Sequence, residues 1–224
     1  MQELLNNYLP NVAQRLPDFG QALKETLVMV AWSGIICFIL GLTLGVLITV
    51  TKRGAILENS LVYQVLDKLI SLFRSIPFII LLTWVMPATR AIMGTPINVK
   101  GAIVPLVVSA APFIARMVET SLAEVDAGVV EAAQSMGASI PQIVWKVYLP
   151  EAKPSLVLGG AISVITILAY TAIAGAVGDL AIRYGYNRKV PSMMLVTVIF
   201  LIVLVQIIQF VFSRVSNRID KRLK

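Results

Sequence analysis

The chain has 224 residues, 58% of them hydrophobic and only 14% charged, with a formal net charge of +7 and a mean hydropathy of +0.85. Soluble domains carry about a quarter charged residues, so the composition excludes a disordered chain and disfavours a water-soluble enzyme; on so apolar a chain the positive charge points to basic loops beside an anionic membrane face, not to nucleic acid. Histidine is absent and Cys37 is the single cysteine, which removes Ser-His-Asp and Cys-His catalysis, the H-E-x-x-H metal site, an intrachain disulfide and a thiolate metal cage, so no catalytic or metal-ligating residue is expected.

At the start of the chain Leu5, Leu9, Val12, Leu16, Phe19 and Leu23 recur at helical gaps, the pattern of one helix face. Pro10 and Pro17 interrupt it. Residues 1–25 are therefore expected to form an interfacial segment, either short helical pieces on the outer membrane surface or an unstructured leader. No basic region precedes the first long apolar run, and that run exceeds a signal-peptide core, so it is expected to stay in the mature protein.

A helix needs about 20 apolar residues to cross the hydrocarbon core. Thr26–Thr51, Pro154–Gly178 and Val190–Ser213 are charge-free for 26, 25 and 24 residues and read as spans. Ser75–Thr89 and Gly101–Ala115 are charge-free for only 15 residues each, about 22 Å of helix. Each must borrow flanking residues or be a broken, re-entrant element. The first extends back through Val65, Leu66, Leu69, Ile70, Leu72 and Phe73, leaving Lys68 and Arg74 toward one end, where basic chains snorkel. The second ends at Arg116. The prediction is an all-α integral membrane protein with about five spans, at 26–50, 63–87, 99–118, 153–177 and 190–213, forming a transmembrane domain over 26–224.

Pro77, Pro87, Pro105 and Pro112 lie in the two short spans. Each proline frees a carbonyl, which in hydrocarbon has to be satisfied by protein or water. Such spans suit a protein interior or a pathway, or are simply kinked within a bundle. Gly159, Gly160, Ala161, Ser163, Ala169, Ala172, Ala174, Gly175, Ala176 and Gly178 give the fourth span small faces for packing, a pore lining or a subunit seam. Deep positions carry no charge, which argues against a proton relay or voltage sensor.

Between the third and fourth spans lies a loop, about 119–153, with Glu119, Glu124, Asp126, Glu131 and Glu151 against Arg116, Lys146 and Lys153. Val129–Met136 is predicted as a short helix stopped by Gly137, since glycine tolerates the left-handed conformation. Ser139-Ile140-Pro141-Gln142 matches a capping box with proline in the first turn, opening a second helix to about Leu149. Pro150 and Pro154 mark the return to the membrane. With the N-terminus outside, twelve Lys and Arg residues fall on inner segments and seven on outer ones. The positive-inside rule then predicts N-out, C-in, although Arg183, Arg188 and Lys189 oppose it. The loop becomes a cytoplasmic two-helix knob, suited to docking in a partner's groove; Ala132 and Ala133 let that partner approach the backbone.

The stretch EAAQSMGASIPQIVWKVYLP resembles the signature loop of permease subunits of binding-protein-dependent ABC importers: E-A-A, three residues, G, nine residues, then I-x-L-P. Glu131, Ala132, Ala133, Gly137, Leu149 and Pro150 fall on that pattern, with Val147 where isoleucine is usual. FRSIPFIILL at 73–82 and GAIVPLVVSAAPFIARMVE at 101–119 extend the resemblance to the methionine-type importer permeases, over nearly the whole chain from about residue 20. Gly175-Ala-Val-Gly178 is similar too, although Asp179 follows directly where the family usually has further glycines.

The resemblance implies a multi-pass permease subunit in the bacterial cytoplasmic (inner) membrane. Its partners would be a second copy of itself, two cytoplasmic ATPase subunits and an extracytoplasmic methionine-binding protein. The chain has no G-x-x-x-x-G-K-[ST] and so cannot form a phosphate-binding P-loop; ATP and Mg would be bound by the ATPase subunits, with no cofactor in this chain. The loop at 131–150 would sit in a cleft of each ATPase. ATP-driven closure would rock the bundle from inward- to outward-facing and move methionine by alternating access. Pathway candidates on spans two to four are Ser75, Pro77, Tyr170, Ala174 and Gly175. Alternatives are a permease for another small amino acid and a membrane scaffold or channel without ATP coupling. An intramembrane enzyme lacks catalytic groups at depth, and an exporter lacks the signature loop.

Overall fold

The computed structural model describes residues 15–95 and 98–219. All regular elements among them are helical. In chain order they are α1 (Leu16–Thr51), α2 (Ser60–Ser75), α3 (Phe78–Trp84), α4 (Met86–Met93), α5 (Asn98–Ala123), α6 (Ala127–Ser135) and α7 (Ile140–Ile143). A π-helical turn (Val144–Tyr148) leads to α8 (Leu149–Glu151) and α9 (Lys153–Ala174). Then come α10 (Val177–Leu180), a second π-helical turn (Ala181–Tyr186) and α11 (Pro191–Ile219).

Among the described residues α1, α5, α9 and α11 are long and apolar enough to cross a membrane. The predicted span at 63–87 is not one helix. Ile76 is extended at φ −85°, ψ 122°, because the ring of Pro77 disfavours the helical conformation in the residue before it. The broken alternative is the one observed. α1 also runs unbroken from Leu16; Pro17 sits in its first turn, where the missing N–H removes no helical bond, so it does not interrupt the helix. The expected pieces before residue 15 lie outside the described residues.

The chain divides into two compact units. The first comprises Met1–Gly34, Phe78–Val107 and Val164–Ile208. Its core has two clusters. Phe19 and Ala22 pack with Val177, Leu180 and Met193, and Phe19 meets the ring of Phe200 edge-on at 6.4 Å. Met29, Phe78, Ala102 and Leu106 form the second, against Tyr170 and Ala174.

In this unit α9 ends in a sharp turn. Gly175 adopts φ +142° and Ala176 φ +59°, positive values that Gly175 accepts without strain and Ala176 does not. The N–H of Val177 is thereby freed from the helix and donates to Thr26 Oγ1 at 3.3 Å. The Thr26 hydroxyl in turn donates to the Ala22 carbonyl at 2.9 Å. A buried threonine on α1 thus satisfies the broken end, as an apolar interior requires.

The second unit comprises Ile35–Pro77, Val108–Ser163 and Gln209–Lys224, and the C-terminal half of α5 is its hub. Toward α1, Ile114 and Val118 fill the space left by Gly41 and Gly45: a Cβ on Gly45 would lie 2.5 Å from Val118 Cβ. This is the small-xxx-small contact by which membrane helices approach closely. Toward α2, Ala115 packs with Ile48 and Ile70. Toward α9, the Ser155 hydroxyl donates to Ser121 Oγ at 3.2 Å and Gly159 leaves room for Met117. α11 lies against the start of α9, where Ser216 Oγ donates to the Pro154 carbonyl at 3.1 Å and Phe212 covers Gly160.

Candidate functional site

The loop between α5 and α9 belongs wholly to the second unit. Asp126 caps α6, its carboxylate accepting from the Gly128 N–H at 2.7 Å. One orphan amide of the helix start is thereby satisfied. The helix runs Ala127–Ser135 rather than the predicted Val129–Met136, because Asp126 is the better cap. At its end the Gly137 N–H donates to Gln134 O at 2.9 Å and the Ala138 N–H to Ala133 O at 3.1 Å. Gly137 supplies the φ of +79° that closes this turn.

The predicted capping box is present at the next helix. The Ser139 N–H donates to Gln142 Oε1 at 2.8 Å. The helix then widens: Val144–Tyr148 is π-helical, with the Leu149 N–H reaching Val144 O. A proline ring clashes with the carbonyl four residues back in a regular helix. The wide turn falls immediately before Pro150, and the chain stays helical to Glu151 where the sequence predicts an end near Leu149.

Burial sorts the knob into two faces. Val130, Ala133, Ile143, Tyr148 and Ala152 point inward and anchor it; burial also pushes the Tyr148 phenol above its ordinary pKa, so it packs as a neutral group. Outward lie Glu131, Ala132 and Pro150, with Met136 81% and Trp145 69% exposed. Leu149 is half-buried. The signature residues are therefore split: Ala133 is buried, Gly137 shapes the bend, and Glu131, Ala132 and Pro150 face outward. Exposed methionine and tryptophan are the residue types enriched where proteins meet. Sequence reasoning missed Met136 and Trp145, since only the observed bend and the π turn show which way they face.

The pathway candidates fall into two groups. Tyr170, Ala174 and Gly175 lie in the first unit, Ser75 and Pro77 in the second. Tyr170 stacks on Phe78, centroids 4.4 Å apart and planes 9° from parallel, and Ala174 packs into the same cluster. Ser75 and Pro77 are exposed, with Ser75 Oγ donating to Ser71 O at 2.8 Å. Phe78, the partner of Tyr170, was not among the candidates; its position directly after the Pro77 break was the available signal. Arg116, inside α5, bonds Asp67 of α2 and Glu119.

Residues 41–224 match the family described as binding-protein-dependent transport system inner membrane component. The chain is 46% identical over 203 residues to the probable D-methionine transport system permease protein MetI of Vibrio cholerae, covering 88% of this chain and 90% of that one. It is 52% identical over 151 residues to the D-methionine transport system permease protein MetI of Escherichia coli K12, 67% and 70% of the two chains. It is 38% identical over 224 residues to the methionine import system permease protein MetP of Bacillus subtilis, 98% and 100%. A solved chain from inward-facing conformations of the MetNI methionine ABC transporter superposes with a TM-score of 0.91 at 43% identity, covering 93% of this chain and 99% of that one. A chain of an amino acid ABC transporter, at 17% identity and a TM-score of 0.74, shares the fold. With the signature loop folded as a capped, bent knob and the match running through it, the chain belongs to the family of binding-protein-dependent transport system inner membrane components.

Proposed function

We propose that this chain is the membrane-spanning subunit of an ABC importer that brings methionine into the cell by ATP-driven alternating access. It works as a homodimer in the bacterial cytoplasmic membrane, with two cytoplasmic ATPase subunits and an extracytoplasmic methionine-binding protein. ATP and Mg are bound by the ATPase subunits, and this chain performs no chemistry of its own. The observation that carries the reading is the knob at 119–153, a capped, bent pair of helices that leaves Glu131, Met136 and Trp145 exposed. The methionine transport systems named among its relatives supply the substrate.

In this reading the N-terminus lies outside and the C-terminus inside, with residues 1–25 at the outer interface and 26–224 forming the permease domain. The broken stretch α2–α3–α4 serves as the fifth crossing. Glu131, Ala132, Ala133, Gly137, Leu149 and Pro150 form and orient the docking knob. Closure of the ATPase pair pulls two knobs together, and ATP favours the outward-facing state through its differential affinity for the two states. Ser75, Pro77, Tyr170, Ala174 and Gly175 line the route; a pathway of this apolar character suits a neutral solute with an apolar side chain.

The test uses the chain co-expressed with its ATPase subunit in membrane vesicles. Glu131→Lys reverses a charge on the docking face, and Gly137→Val strains a bend that needs φ +79°. Each is expected to weaken ATPase co-purification about tenfold, roughly 1.4 kcal/mol, and to lower ATP-dependent methionine uptake in parallel. Normal co-purification and uptake in both variants would overturn the docking assignment, and absence of ATP-dependent methionine uptake by the parent would overturn the substrate.

A further inference from the structure

Arg116 stands in the membrane-spanning helix α5 with two carboxylates on its guanidinium. One nitrogen donates to Asp67 Oδ1 of α2 at 2.6 Å, and the other donates to Glu119 Oε2 at 2.6 Å. Ser71 Oγ on α2 lies 3.3 Å from the Asp67-bound nitrogen. All four side chains belong to the second unit. The group is partly buried: the guanidinium side chain is 25% exposed and Glu119 14%. A charge-assisted cluster that is mostly withdrawn from solvent and joins two helices is a directional link between them, and neither the knob nor the pathway candidates use this group.

Its place in the chain says what it does. Seven residues after Arg116, α5 ends, and Asp126 opens the docking knob. Eight residues after Asp67, α2 ends at Ser75, and the chain breaks through the extended Ile76 at Pro77. The contacts of α5 with α1 are small-residue packing, which fixes distance but resists sliding weakly. The contact with α2 is a charge-assisted hydrogen bond, which fixes direction as well.

We propose that Arg116 is the positioning residue that couples the knob to the broken span. Displacement of α5's end by the ATPase carries α2 with it through the Arg116–Asp67 bond, and with α2 the Pro77 break at its end. Glu119 holds the guanidinium in the orientation that reaches Asp67. This inference rests on the import reading above.

The test is methionine transported per ATP hydrolysed by the full complex in proteoliposomes. Asp67→Asn removes the charge of the bond between helices while Arg116 keeps Glu119. It is expected to leave complex assembly and basal ATPase intact and to lower methionine moved per ATP about fivefold or more, the lower bound of typical coupling between sites. Arg116→Lys keeps the charge but cannot fork between two carboxylates and should show the same loss, whereas Asp67→Glu should restore most of the ratio. A parental ratio in both Asp67→Asn and Arg116→Lys would overturn the proposal. So would equal loss of ATPase and transport, or failure of both variants to assemble, since each marks a merely structural pair. Parent proteoliposomes in the same assay separate the two readings: without ATP-driven methionine uptake by the parent, it is the import reading that fails.

Discussion

α5 and α11 are both membrane-length helices, and they are used in opposite ways. In its most apolar eighteen-residue stretch α5 is 61% buried, whereas α11, the more apolar of the two by sequence, is only 6% buried. Leu195, Ile199, Ile202, Val203 and Phe210 of α11 all stay exposed. In water this ranking would be reversed, because the most apolar helix would sit at the centre. In a bilayer lipid tails are as apolar as leucine, so hydrophobicity does not select the interior. Shape and polarity do. The C-terminal half of α5 is the hub of its unit because Gly41 and Gly45 let it approach closely, because Ser121 meets Ser155, and because Arg116 finds Asp67.

The comparison breaks most readily at the glycines. Gly45→Leu would drive a side chain into Val118 and the Ala115 carbonyl. It is expected to cost more than about 3 kcal/mol, seen as loss of monodisperse protein and of the unfolding transition in detergent. Gly34→Leu, on the same helix but with open space at its Cβ, should change stability by about 0.5 kcal/mol or less. If both behave alike, the close approach of α1 to α5 does not carry the fold. A finer contrast follows from burial. Leu106→Ala on α5 empties a fully buried site and should cost about 2–4 kcal/mol, while Ile202→Ala on α11 should cost about 0.5 kcal/mol or less; equilibrium unfolding in mixed micelles reads both. A small effect is also expected at Ser216→Ala, which removes the bond to Pro154 O, at about 0.6 kcal/mol, the usual worth of a polar contact between membrane helices. A loss above about 2 kcal/mol there would mean that α11 is held by that hydroxyl rather than by packing.

Much of this was legible because the signals are local. A capping box, a glycine after a short helix and charge-free runs each act within a few residues, and the knob and the long helices follow from them. Pro77 announced the break in the second span, but run length alone left open whether flanking residues would bridge it. Gly41 and Gly45 stood in plain view at small-xxx-small spacing, yet their partner on α5 could not be read from α1. The Arg116–Asp67 bond joins residues 49 apart. No periodicity encodes such a pair; it exists only once α2 and α5 share a unit. Phe78 and Tyr170 meet for the same reason, through a tertiary contact between distant segments.

The wide turn at Val144–Tyr148 has one more consequence. A π turn is a regular helix carrying one surplus residue, so deleting a single residue there would regularise the backbone. Each residue of a helix turns the phase by about 100°, so the deletion would also swing Trp145 and Lys146 to a new bearing relative to Ile143 and Tyr148. The aim of the knob is thus set by arithmetic as much as by side chains, and one lost codon in this short stretch would re-aim it with every remaining side chain unchanged.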